Sequence, residues 1–71
     1  MHECLEYHMV PQPQIGDLVW HYYLCSLDGP YLIVAYDVGR QLWILSGCGK
    51  PFDVAASTPQ LRIPKVVVYD E

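Results

Sequence analysis

At 71 residues the chain has room for one domain. It is 52% hydrophobic and only 17% charged, whereas soluble domains average about 25% charged. A chain this short buries only about 60% of its unfolded surface. So apolar a composition therefore implies either a densely filled core or an apolar surface that a partner covers. Four Lys and Arg against eight Asp and Glu leave a net charge of −4. That balance disfavours autonomous binding of nucleic acid, whose phosphates are met by Lys and Arg. Cys4, Cys25 and Cys48 are odd in number, form no disulfide framework and fit a reducing compartment. Glu3 and Glu6 interrupt the apolar stretch a signal peptide needs, and no apolar run approaches the ~20 residues of a membrane span. A cytoplasmic location is expected, with no membrane role.

In chain order, residues 1–14 read as a flexible arm. Pro11 and Pro13 alternate with Gln12 and Gln14, which favours an extended, polyproline-like entry. Gly16-Asp17 is a turn, and Leu18–Cys25 follows as an uncharged strand rich in aromatic residues. Its alternation puts Leu18, Trp20, Tyr22 and Leu24 on one face and Val19, His21, Tyr23 and Cys25 on the other. Ser26–Pro30 reads as a turn, Tyr31–Tyr36 as a second strand, and Asp37–Arg40 as a hairpin turn with Gly39 available for positive φ. Gln41–Ser46 is the third strand, Gly47–Pro51 a mobile tip and Phe52–Ala55 a short fourth strand. Ser57–Leu61 suits one turn of 3₁₀ helix, since Pro59 cannot continue a ladder. Arg62–Tyr69 closes as a fifth strand, placed at an edge by Pro64. No window shows helical periodicity. Short strands with turn signals every eight to twelve residues predict an all-β domain, a small five-stranded barrel over residues 15–71.

Three stretches carry a resemblance: Ile15-Gly16-Asp17-Leu18-Val19-Trp20, Gly29-Pro30-Tyr31-Leu32-Ile33-Val34, and Pro59-Gln60-Leu61-Arg62. They resemble the C-terminal SH3-like barrel of retroviral and retrotransposon integrases, over Ile15 to about Ile63. Small SH3-like barrels of phages and other mobile elements are similar in plan. The resemblance implies an SH3-like barrel and a role in holding DNA and neighbouring subunits in a larger complex. The segment between Trp20 and Gly29, usually longer and basic in that family, carries no Lys or Arg here, and the catalytic carboxylate domain is absent.

The remaining chemistry is sparse. His2, Cys4 and His8 are spaced like metal ligands, but half of a pair-plus-pair site is missing, so no metal and no cofactor are expected. Cys48 beside Lys50 has no His base at a recognisable spacing. There is no paired-carboxylate, Ser-His-Asp, phosphate-loop or dinucleotide pattern, and no enzymatic activity is expected. The aromatic residues are too many for so small an interior. Trp and Tyr dominate protein-binding hot spots, so a non-catalytic module docking a partner protein or its own copy is expected, for instance a phage or mobile-element modulator of a host factor. With Trp20 and its set placed inward, the outward candidates are Val19, His21, Tyr23, Tyr31, Tyr36 and Trp43. The alternatives are a nucleic-acid accessory barrel using Arg40, Lys50, Arg62 and Lys65, and a purely structural assembly subunit.

Overall fold

The computed structural model describes residues 1–70. It contains six strands, β1 (His2–Met9), β2 (Leu18–Tyr23), β3 (Ser26–Asp37), β4 (Leu42–Gly47), β5 (Val54–Ala56) and β6 (Leu61–Tyr69), with one 3₁₀ turn at Thr58–Gln60. They form a single antiparallel sheet in the order β1-β6-β2-β3-β4-β5. The domain is all β, as the turn spacing predicts. Among the described residues no helix is long and apolar enough to cross a membrane.

The core consists of Val19, Tyr31, Ile33, Leu45, Ala56 and Leu61, each at most 1% exposed, joined by Val10 from the β1–β2 connection. Trp43, Val54 and Ile63 pack against it. Among the described residues there is one sheet and no second layer to cover these side chains, so the sheet itself curls around them. Burial of each of the Val, Ile and Leu side chains is worth about 1.5–3 kcal/mol. The ladder does not close on itself: among the described residues β5 pairs only with β4, and β1 only with β6.

The curl reverses the expected facing of β2. Val19 and His21 point inward, while Leu18 and Tyr22 are exposed and Trp20 is half-buried on the outer surface. The outer side has room for the Trp20 indole, because β3 leaves a gap there. A Cβ added to Gly29 would sit 2.5 Å from Trp20 Cδ1. Trp20 thus lies across a residue with no side chain, at the bulge where Val19 pairs with Tyr31 but His21 pairs with Asp28. Pro30 is tolerated at that same bulge.

Two turns also differ from expectation. Ser26–Pro30 is part of β3, and the chain reverses at Leu24-Cys25, both with positive φ (50° and 61°). A two-residue hairpin loop needs that conformation, normally supplied by Asn and Gly, so this sequence carried no turn signal there. After β3 the left-handed residue is Gln41 (φ 57°) and not Gly39, while the Arg40 amide donates to Asp37 Oδ1 at 3.1 Å.

The expected arm has a partner. β1 pairs along its whole length with β6, from His2↔Tyr69 to Met9↔Arg62. β2 meets β6 only at Trp20↔Arg62 and His21↔Leu61. The rest of β6 has a neighbour on one side alone, which is where Pro64 is admissible. β1 and β6 therefore form a two-stranded ribbon that projects from the curled body. The molecule measures 47 × 24 × 23 Å with a radius of gyration of 13.4 Å, against roughly 11 Å for a compact chain of this length.

Candidate functional site, an aromatic trough at the open seam

The side of the sheet that the ladder leaves open holds two adjoining hollows of about 410 and 380 Å³, which share His21, Tyr23 and Val54. Together they make a trough. One wall is the β2–β3 hairpin, with His21, Tyr23, Ser26 and Asp28; the other is Phe52 and the edge strand β5, with Val54 and Ala55. Lys50 and Tyr31 lie at one end and Gln60 at the other.

His21 is the pivot. Alternation along β2 carries it to the inner face beside Val19, and it is 9% exposed. Its ring stacks on Tyr23 (5.8 Å between centroids, 8° between planes) and meets Tyr31 edge-on at 6.4 Å. Its Nε2 is buried and has no hydrogen-bond partner among the described residues. Leaving a buried polar atom unpaired costs about 1–3 kcal/mol, and Phe would fill the same space without that cost. Burial also raises the Tyr31 hydroxyl above its usual value of 10.0, an effect the Lys50 ammonium opposes.

Of the residues expected to face outward, Val19 and Tyr31 belong to the core, and His21 is buried between the core and the trough. Tyr23 is exposed as expected. The structure brings His21, Tyr23 and Tyr31 together in the trough. Tyr36 and Trp43 are elsewhere, in contact with each other (4.4 Å), and Trp43 Nε1 donates to Thr58 Oγ1 at 2.9 Å. Trp43 therefore ties β4 to the 3₁₀ turn. Phe52 and Val54 are not legible as site residues, because only the curl of the sheet brings β5 opposite β2; Asp28 is not, because Ser26–Pro30 reads as a turn and not as the strand that pairs with His21.

The four cations do not share a patch. Arg40 is in the β3–β4 turn and Lys50 at the trough. Arg62 lies over the Tyr22 ring, 5.0 Å from its centroid, and hydrogen-bonds the carbonyls of Pro59 and Leu61. Lys65 is opposite Glu6 on the other face of the ribbon. His2, Cys4 and His8 share one face of β1, where His8 Nε2 donates to Glu6 Oε1 at 3.0 Å. Among the described residues no three His, Cys, Asp or Glu converge as a metal site.

No protein-family model, curated protein or solved structure matches the chain.

Proposed function

We propose that the protein is a non-catalytic binding module whose trough takes an extended segment of a partner protein. The observation that carries this reading is the buried, unpaired Nε2 of His21 on the wall of an aromatic-sided trough. A buried polar atom without a partner calls for a functional reason. An extended segment suits the trough because its far wall is an edge strand: β5 pairs with β4 on one side only, leaving backbone groups for an added strand. The net charge of −4 favours a segment bearing Lys or Arg, with Asp28 in the wall to meet it and Lys50 at one end for an acidic group. Tyr23 and Phe52, both exposed, are the anchors a peptide would cover.

The test is selection from a displayed random-peptide library, followed by nuclear magnetic resonance titration of the selected peptide. Shifts centred on His21, Tyr23, Phe52 and Val54 are expected, with affinity lowered about tenfold or more by Tyr23→Ala. Failure to select any peptide, or shifts confined to the ribbon, would remove this reading. Titration with duplex DNA belongs in the same experiment. Sub-micromolar affinity at physiological salt, falling steeply as salt rises, would favour the nucleic-acid role instead.

A further inference from the structure

We infer that the projecting β1–β6 ribbon is a self-association surface, covered by the ribbon of a second copy of this chain packed face to face and antiparallel. The trough is not involved, so this proposal and the binding reading stand or fall separately.

Strand alternation gives the ribbon two unlike faces. One carries Cys4, Glu6 and His8, all partly buried. The other carries Glu3, Leu5, Tyr7 and Met9 from β1, opposite Val68, Val66, Pro64 and Arg62 of β6. On this second face Leu5 is 60% and Val66 65% exposed, and Met9 and Val68 are more than half exposed. A two-stranded ribbon is at best marginally stable in water and needs a third strand or a packed layer. The body of this molecule supplies neither beyond Arg62, since β2 leaves β6 there.

The charge pattern names the occupant. On this face one end of the ribbon carries Glu3, the other Arg62, and the middle is apolar. A two-fold axis perpendicular to the strands lays Leu5 and Val66 of one copy over Tyr7 and Pro64 of the other. It also brings the Glu3 end of each ribbon against the Arg62 end of its mate. A surface that is its own complement under a two-fold rotation is what an isologous dimer requires. The tip of each ribbon then reaches the outer face of the other body, where Tyr7 meets Trp20 at 5.7 Å and the exposed side chains of Leu18 and Leu32 extend the apolar area.

Sedimentation velocity on the full chain, from micromolar to millimolar concentration, tests this. A reversible monomer–dimer equilibrium is expected. Leu5→Lys and Val66→Lys should each raise the dimer dissociation constant about tenfold or more, while near-ultraviolet circular dichroism of the body stays unchanged. Glu3→Arg should weaken the dimer severalfold, and adding Arg62→Glu should restore part of the loss. Because Arg62 also contacts Tyr22, the double variant is read only against Arg62→Glu alone, whose dimer should be weakened too. A chain that remains monomeric at millimolar concentration, or a dimer indifferent to both Lys substitutions, would overturn the proposal. A dimer that responds to Leu5→Lys but not to Glu3→Arg would overturn the antiparallel arrangement.

Discussion

His21 shows most directly what a single residue in this domain gives up for what it does. Its ring fills core space as Phe would, yet among the described residues its Nε2 is a buried polar atom without a partner. His21→Phe should therefore raise stability by about 1–3 kcal/mol, readable as a melting temperature several degrees higher, while peptide capture by the trough is lost. If the variant is destabilised instead, the nitrogen has a partner in solution. Gly29 is constrained for the opposite reason, because a neighbour already occupies its side-chain space. Gly29→Ala should displace the Trp20 indole, cost about 1–3 kcal/mol as overpacking does, and shift the tryptophan fluorescence toward that of a solvated ring. Unchanged emission and stability would mean that the indole is not seated over Gly29.

Among the elements, the ribbon departs most from what residue patterns predict. The strands from Leu18 onward are legible in number and order because each alternates or runs apolar between turn residues, and Pro59 marks the 3₁₀ turn; the start of β3 is not, because Gly29 and Pro30 read as a turn. β1 is not legible either, because Glu3, Glu6, His2 and His8 dilute its alternation and the following prolines suggest an unpaired arm. Its ladder is set by a partner more than fifty residues away, which no local pattern reports. The facing of β2 is hidden for a related reason: ring size suggests the inside, but the space for the Trp20 indole is made on the outer side by Gly29, on another strand. Trp20 instead bridges body and ribbon, through Gly29 and Tyr7. Trp20→Ala should therefore cost less than the ~3–5 kcal/mol of a fully buried aromatic. Amide protection should fall first in β1 and the second half of β6; equal loss throughout the sheet would contradict this role.

The ribbon is expected to respond to pH. The Tyr69 hydroxyl donates to the Glu6 carboxylate, as does His8, and these bonds, Tyr69 first, hold Glu6 below its usual 4.5. A lowered carboxyl contributes fully above 4.5, and the contribution is lost as pH falls through the folded value. The same bond raises the Tyr69 hydroxyl above 10.0, so its contribution is lost as pH climbs through that higher value. Ribbon amide and Tyr69 ring resonances should move toward unpaired positions as pH falls below 4.5, before those of the body. Simultaneous movement of the body would show that the ribbon does not open on its own.

For the whole molecule, the −4 charge and the dispersed cations predict weak binding to duplex DNA at physiological salt, checked by fluorescence anisotropy; sub-micromolar affinity would contradict it. The pairing of β1 with β6 has a kinetic consequence as well. The other ladders join strands that are close in the chain or meet briefly, as β2 and β6 do at two positions. The β1–β6 ladder instead makes a long run of bonds between the first and last strands, so closing it carries the largest loop-closure entropy in the domain. During synthesis β1 is made more than fifty residues before its first mate, Arg62, and its ladder is complete only once Tyr69 has followed. The ribbon is thus expected to zip last in refolding and to open first in unfolding, giving a fast phase for the body and a slower one that stopped-flow fluorescence can follow through Trp20. In the interval β1 is an unprotected strand with free edges, and the charges at Glu3 and Glu6 that hid it as a strand also discourage it from pairing with the wrong chain.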